Sequence, residues 1–165
     1  GYVLAVLDAV DREYGVDRSR IYAGGVSNGG AFAYSLACDL PETFAGVGVV
    51  AGALTDASCA PGQSVAVFHL HGTADTVVPF TKSSLTGLPP AEAAIAFWAA
   101  NNGCGPEVET TIEDEFVVCQ HYRGCNPRGD VEWCLVKDAG HFSMPVQLWP
   151  VLVSRMTATV LATSK

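Results

Sequence analysis

The stretch Gly25-Val26-Ser27-Asn28-Gly29 decides the fold, because it places a serine between two glycines where an apolar strand turns into a helix. The residues before it are apolar, as in a buried parallel strand, and the residues after it are typical of a helix. Strand and helix approach closely at such a turn, so a Cβ at Gly25 or Gly29 should clash with the backbone. The stretch therefore predicts a nucleophilic serine, Ser27, whereas the alternative is a Gly-rich loop with a surface serine.

A serine nucleophile of this kind needs an acid and a base, which follow it along the chain in the order Asp or Glu, then His. Asp75 comes just after the apolar, β-branched run 64–70, and His141 comes after a second strand candidate at 131–136. Functional side chains gather beyond the carboxyl ends of the strands in open parallel sheets. We therefore predict that Ser27, Asp75 and His141 converge as a catalytic triad.

Other polar residues compete for these roles. Asp138 is the alternative acid, but it lies only three residues before the predicted base and is better placed to order that loop. Asp75 itself could simply cap a turn. Among the remaining histidines, His69 lies on a predicted buried strand as a satisfied core residue, and His71 is expected to shape the loop that carries Asp75. His121 lies in a polar, cysteine-bearing hairpin and has no place in the order Ser, Asp, His.

Several segments resemble the serine esterases that include polyhydroxybutyrate depolymerases and feruloyl esterases. The resemblance spans nearly the whole chain and is carried by residues 25–38, 41–47, 71–80 and 102–104. It implies a three-layer α/β-hydrolase fold with a mostly parallel sheet. The chain departs from the family at residues 138–145, where the family has His followed by Trp-Pro-Gly. This departure concerns the shape of the substrate rim rather than the base.

The beginning of the chain predicts an amphipathic helix, with apolar residues at positions 3, 6, 7 and 10 and a stop at Gly15. In the resembled fold, this helix lies immediately before the nucleophile strand. We therefore expect residues 1–165 to be the C-terminal portion of a single α/β-hydrolase catalytic domain, without the N-terminal strands and the loop that supplies a second oxyanion N–H. The sequence shows no basic segment followed by an apolar one, as a signal peptide would.

Composition limits the possible partners. The 165 residues are 49% hydrophobic and 16% charged, which fits one globular domain. A formal net charge of −8 and the lack of a Lys or Arg cluster argue against nucleic-acid binding. The longest apolar run, at residues 44–54, is too short for a membrane span of about 20 residues. We expect neither nucleic acid nor membrane as a partner.

Six cysteines in a chain of this length indicate an oxidising compartment, and hence secretion. Zinc is the competing use, but the sequence contains no C-x-x-C pair and its histidines are not spaced like ligands, so no metal is expected. Cysteines at a helix end and in the loop after the next strand could pair, and two others could face each other across a hairpin, which leaves one further pair. These candidate disulfides are Cys38 with Cys59, Cys119 with Cys134, and Cys104 with Cys125.

The predicted chemistry is a two-step acyl transfer that needs no metal or organic cofactor. Ser27 attacks an ester carbonyl, His141 acts as general base, and Asp75 orients the imidazole and stabilises its cation. The backbone N–H of Asn28, at the helix N-terminus, should stabilise the oxyanion. Phe142 and Trp149 could line an acyl or aryl pocket, although their spacing is also typical of core residues.

The resemblance implies extracellular ester substrates, either hydroxycinnamoyl esters on plant polysaccharide or polyhydroxyalkanoate. Two other functional classes stay open at this point. A serine peptidase of the prolyl-oligopeptidase type has the same order of Ser, Asp and His, and an inactive hydrolase-like remnant would bind ligands without turnover. Sparse charge and numerous cysteines favour the secreted esterase.

Overall fold

The computed structural model describes residues 1–85, 87–143, 154 and 158. The elements in chain order are helix α1 (Tyr2–Tyr14), strand β1 (Tyr22–Val26), helix α2 (Asn28–Asp39), strands β2 (Gly46–Val50) and β3 (Ala66–Gly72), helix α3 (Ala91–Asn101), and strands β4 (Val108–Glu113), β5 (Val117–Tyr122) and β6 (Val131–Val136). The predicted bounds of β6 agree with the structure to the residue.

The six strands form one mixed sheet in the order β1-β2-β3-β6-β5-β4. Strands β1, β2, β3 and β6 run parallel to one another, whereas β5 pairs antiparallel with both β6 and β4. The expectation of a largely parallel sheet flanked by helices is thus confirmed, as an α/β-hydrolase fold. Because β1, β3 and β6 are parallel, the residues that follow them lie at the same edge of the sheet.

Strand β3 separates two apolar clusters. Val67 on one of its faces packs into a cluster that also contains residues of α2, β2 and α3, such as Ala33, Val49 and Trp98. On the other face, Phe68 and Leu70 join a second cluster with residues of β5 and β6. All residues of β3 are buried, as expected for a strand covered on both faces.

Helix α1 ends at Gly15, whose φ of 72° is a conformation that favours glycine. The predicted extent of this helix is therefore correct. Its apolar stripe is not covered by the described part of the chain, since no residue of the helix is buried there and Val6 and Val10 are each 42% exposed. Strand β1 forms one edge of the described sheet.

Disulfides connect the three pairs of cysteines that were candidates from the sequence. Cys38, near the end of α2, bonds to Cys59 in the loop after β2. Cys119 and Cys134 face each other in register across β5 and β6, and Cys104 bonds to Cys125.

None of the helices within the described residues is both long and apolar enough to cross a membrane. The cysteine-bearing hairpin that the sequence predicted around His121 corresponds to the antiparallel strands β5 and β6. Strand β4 was not predicted, because its residues Val108–Glu113 lack the apolar pattern that identifies a strand.

Candidate active site

Ser27 lies between the last residue of β1 and the first residue of α2. Its backbone has φ 55° and ψ −117°, a conformation that costs a non-glycine residue about 1–3 kcal/mol. Two backbone hydrogen bonds maintain it. The N–H of Ser27 donates to the carbonyl of Val50 at 2.8 Å, and the N–H of Ala31 donates to the carbonyl of Ser27 at 3.0 Å. The strained turn is therefore fixed by the neighbouring strand and by the helix that follows it.

The glycines around Ser27 allow the strand and the helix to approach each other. A Cβ at Gly25 would overlap the backbone of Gly29, as predicted. The same prediction for Gly29 is wrong, because outside its chain neighbours and the backbone of its own helix no described atom lies within 4 Å of the position its Cβ would occupy. The second restricted position is Gly30, where a Cβ would lie 2.8 Å from Cγ1 of Val49. The second close contact thus lies one residue further along the helix, where it packs against strand β2.

The structure brings the side chains of Ser27, His141 and Asp75 together in a hydrogen-bonded series. Oγ of Ser27 lies 2.9 Å from Nε2 of His141, and Nδ1 of His141 lies 2.7 Å from Oδ2 of Asp75. A carboxylate only accepts hydrogen bonds, so Nδ1 carries the imidazole proton and Nε2 is free to accept from the serine hydroxyl. Asp75 is 5% exposed and His141 is 7% exposed, which shields both from water.

Backbone N–H groups of the loop after β3 hold the carboxylate of Asp75 by Oδ1, the oxygen that does not contact His141. Oδ1 accepts hydrogen bonds from the backbone N–H groups of Val77 and Val78, both at 2.9 Å. Oδ2 is thereby directed toward His141. Asp75 therefore caps a turn and also contacts the imidazole of His141. The sequence offered these two roles as alternatives, and the structure shows that one carboxylate makes both sets of contacts.

The alternative acid, Asp138, is not the residue that faces the imidazole. It adopts a φ of 58° in the loop after β6, and its backbone N–H donates to Oγ1 of Thr73 at 2.9 Å. The N–H of Ala74 also donates to the carbonyl of Ala139 at 3.0 Å. A Cβ at Gly72 would overlap that carbonyl. The two loops that carry Asp75 and His141 are thus joined directly by backbone contacts.

The other histidines lie where the sequence placed them. His69 and His71 are completely buried and hydrogen-bonded to each other, and His71 contacts the carbonyl of Val78 in the loop that carries Asp75. His121 lies on β5, with Nε2 3.5 Å from a carboxylate oxygen of Asp130. The sequence did not identify Tyr34, whose hydroxyl contacts His69, although its place on the buried face of α2 was the available signal.

Burial determines the charge of the two inner histidines. It lowers the pKa of His69 well below the ordinary value of 6.5, and the neighbouring His71 lowers it further. Burial also lowers the pKa of His71, although the carbonyl of Val78 and the carboxylate of Asp75 act in the opposite direction. Both imidazoles are therefore neutral at neutral pH.

Two further features surround the series. The N–H of Asn28 belongs to the first turn of α2, where N–H groups have no acceptor within the helix. Phe142 is 91% exposed and contacts His141 edge to face, with ring centroids 4.6 Å apart, so the core interpretation of Phe142 is wrong. Trp149 lies outside the described residues.

Within the described part of the chain, there is no group of three or more His, Cys, Asp or Glu side chains that could hold a metal ion.

The chain is similar to several known proteins. The family model described as "Phospholipase/Carboxylesterase" matches residues 5–95. A protein of Aspergillus niger named "Probable feruloyl esterase C" is 32% identical over 105 residues, which cover 64% of this chain and 36% of that protein. "Feruloyl esterase C" of Emericella nidulans is 30% identical over 105 residues, with the same two coverages. The chain thus spans about a third of the length of these curated relatives.

A solved structure, the acetyl xylan esterase from Aspergillus awamori, has a similar fold. It superposes with a TM-score of 0.60 and 16% sequence identity, and the match covers 93% of this chain and 66% of that one. At this identity the likeness concerns the fold alone.

Proposed function

Because the chain belongs to the phospholipase/carboxylesterase family of α/β-hydrolases, we propose that it serves as a serine carboxylic ester hydrolase with Ser27, His141 and Asp75 as its triad. The observation that carries this proposal is the continuous series of hydrogen bonds from Oγ of Ser27 through both nitrogens of His141 to Asp75. A hydroxyl, an imidazole and a buried carboxylate in this order provide the nucleophile, the general base and the group that orients the base.

In the first step, Oγ of Ser27 attacks the carbonyl carbon of the ester as its proton moves to Nε2 of His141. Asp75 stabilises the resulting imidazolium through the hydrogen bond from Nδ1, which is 2.7 Å long. The carbonyl oxygen becomes an oxyanion, for which the N–H of Asn28 is the candidate donor. The bond to the alcohol then breaks, and Nε2 returns its proton to the leaving oxygen.

In the second step, water attacks the acyl-enzyme, and its proton moves to the same nitrogen of His141. The new tetrahedral intermediate collapses, the bond between the acyl carbon and Ser27 breaks, and Oγ recovers the proton from Nε2. A carboxylic acid is released. The strained backbone of Ser27 supports this chemistry, because it holds the hydroxyl at a sharp strand-to-helix turn.

The substrates that we propose are extracellular esters of hydroxycinnamic acids on polysaccharide, and the protein is proposed to be secreted. Three disulfides support an oxidising compartment. The names of the relatives from Aspergillus niger and Emericella nidulans point to feruloyl esters. The exposed ring of Phe142, in contact with His141, offers an aromatic surface beside the proposed nucleophile. A polyhydroxyalkanoate substrate has less support, since an aliphatic polyester makes no use of such a ring.

A panel of three substrates tests the proposal. A chromogenic acetate ester, a methyl hydroxycinnamate and a proline-containing peptide anilide would be compared at equal protein concentration. We expect hydrolysis of both esters and none of the anilide. Ser27→Ala should reduce ester turnover by a factor on the order of 10⁴ to 10⁶, with an unchanged circular dichroism spectrum. Hydrolysis of the anilide would favour the peptidase, and an inert wild-type protein would favour the binding remnant.

A further inference from the structure

Four buried groups form a second hydrogen-bonded series that leads into the proposed triad from the core. The hydroxyl of Tyr34 lies 2.7 Å from Nδ1 of His69, and Nε2 of His69 lies 2.9 Å from Nδ1 of His71. Nε2 of His71 lies 2.7 Å from the carbonyl oxygen of Val78. The side chains of Tyr34, His69 and His71 have no exposed surface. We refer to these three residues as the core relay.

The direction of every bond in the core relay follows from its last member. The carbonyl of Val78 only accepts, so Nε2 of His71 carries a proton and Nδ1 of this neutral ring must accept. Nε2 of His69 is then the donor to His71, and Nδ1 of His69 must accept in turn. The hydroxyl of Tyr34 therefore donates to His69. Each ring has one permitted tautomer, and the polarity runs from α2 toward the loop after β3.

The core relay ends at the loop that carries Asp75. Val78 accepts from His71 through its carbonyl and donates through its N–H to Oδ1 of Asp75 at 2.9 Å. Nε2 of His71 also lies 3.4 Å from Oδ2 of Asp75, the oxygen that contacts His141. The protonated nitrogen of His71 thus faces both the loop backbone and the carboxylate.

We propose that His71 is a positioning residue for Asp75, and that Tyr34 and His69 support it by completing the hydrogen bonds of the tautomer that the carbonyl of Val78 requires. With the opposite tautomer, a lone pair of Nε2 would face the carbonyl of Val78 and the carboxylate, and both contacts would become repulsive. The loop would then lose the constraint that directs Oδ2 of Asp75 toward His141. This inference rests on the proposed function for the role of Asp75, but the arrangement itself is independent of the substrate.

Two substitutions at His71 and one control on the opposite face of β3 test the positioning role. His71→Leu removes the donor, whereas His71→Gln retains an N–H group that can reach the carbonyl of Val78. Leu70→Val is the matched control, because Leu70 is equally buried but packs in the cluster on the other side of the sheet. We expect His71→Leu to lower kcat roughly 10- to 100-fold with little change in KM. His71→Gln should recover most of the loss, and Leu70→Val should leave kcat unchanged.

Nuclear magnetic resonance of the imidazoles tests the same inference without a substrate. In the unchanged protein, His69 and His71 should both be protonated at Nε2, and the Nδ1 proton of His141 should appear far downfield through its bond to Asp75. Tyr34→Phe removes the donor to Nδ1 of His69 and should alter the tautomer signals of both inner rings. His71→Leu should shift or broaden the Nδ1 proton of His141, and Leu70→Val should not.

The outcomes separate this inference from the proposed function. Ester hydrolysis with equal kcat in His71→Leu and Leu70→Val would overturn the positioning role alone. So would an unaltered Nδ1 signal of His141 in His71→Leu, or inner rings protonated at Nδ1. A wild-type protein that hydrolyses no ester would contradict the proposed function, while the imidazole signals would still decide the positioning role. If His71→Leu does not fold, Tyr34→Phe and His71→Gln supply the same comparison.

Discussion

The loops after β3 and β6 and the hairpin of β4 and β5 belong to one sheet, yet they are held in place differently. The loops carry Asp75 and His141, which are nearly buried and constrained by hydrogen bonds. The hairpin region contains Cys104, Cys119 and Cys125, all of them in disulfides. Most residues of β4 are exposed. Hydrogen bonds direct individual side chains, whereas disulfides act mainly by restricting the unfolded chain.

This difference indicates a division of roles, in which the hydrogen bonds of the loops serve catalysis and the disulfides of the hairpin region serve stability. Where a side chain must point at one atom, the structure uses donors and acceptors that accept only one orientation, as in the contacts of Asp75. Where the chain beside the hairpin is only partly buried, as at Cys104 and Cys125, it uses a covalent bond. We therefore expect substitutions in the loops to affect turnover first, and substitutions of the hairpin cystines to affect stability first.

The largest expected effect separates the two candidate acids. Asp75→Asn should lower kcat by about 10⁴, because the amide favours the wrong tautomer of His141 and cannot stabilise its cation. Asp138→Asn should have little effect on kcat, since Asp75 is the residue in contact with the imidazole. Steady-state kinetics on a chromogenic ester measures both. If Asp138→Asn is the more damaging change, the proposed triad is wrong.

The hairpin should respond in the opposite way. Replacing Cys104 and Cys125 together by Ser should lower the free energy of unfolding by about 2 to 5 kcal/mol, with kcat of the folded protein nearly unchanged. Denaturant titration and kinetics at a temperature well below the unfolding midpoint provide the two measurements. Loss of turnover without loss of stability would break the division between the two regions. Reductant added to the wild-type protein serves as an independent control.

Acidic pH should lower the free energy of unfolding through His69 and His71. Burial lowers the pKa of His69 and of His71 in the folded state, so below the ordinary value of 6.5 the unfolded chain binds more protons than the folded one. Stability is thus fully present above pH 6.5 and falls as the pH drops below it, by up to about 1.4 kcal/mol per pH unit for each histidine.

Denaturant titrations between pH 7 and pH 5 measure this slope. His69→Gln keeps a polar side chain that does not titrate. It should reduce the dependence of the free energy of unfolding on pH by up to about 1.4 kcal/mol per pH unit. Leu70→Val should lower the free energy of unfolding without changing its dependence on pH. A slope unaffected by His69→Gln would show that the acid sensitivity arises elsewhere.

The smallest expected effect concerns the substrate. Phe142→Ala should lower kcat/KM for a methyl hydroxycinnamate by a factor of roughly 2 to 10, the strength of one aromatic contact, and leave the acetate ester nearly unaffected. The comparison of the two esters within one variant controls for changes in His141, which the ring of Phe142 also contacts. An equal loss on both esters would mean that the ring supports the base rather than the aryl group.

The residues at the strand ends could be identified from sequence for a definite physical reason. Ser27, Asp75 and His141 each follow an apolar run, and a parallel sheet brings such positions to one edge. The sequence also favoured Asp75 over Asp138, which lies only three residues before His141, and Asp75 is the residue that contacts the imidazole. Tyr34 was missed because a tyrosine on an apolar helix face gives no sign of which polar group it meets across the core.

Two features of the backbone also escaped prediction, for related reasons. In the helix after Ser27, the position where a Cβ would meet strand β2 is Gly30 rather than Gly29, because the helix packs against this strand one residue further along. Sequence spacing alone does not determine that rotation. Strand β4 is held by pairing with β5 and not by burial of its own side chains, so its residues lack an apolar pattern.

The central claim is that His141, oriented by Asp75, activates Ser27, and covalent labelling tests it most directly. The unchanged protein, Ser27→Ala and His141→Ala would each be treated with a fluorophosphonate, followed by intact mass measurement and peptide mapping. We predict one adduct per chain on Ser27 in the unchanged protein, none in Ser27→Ala, and strongly slowed labelling in His141→Ala. Labelling that persists in Ser27→Ala, or that proceeds at the same rate without His141, would contradict the account.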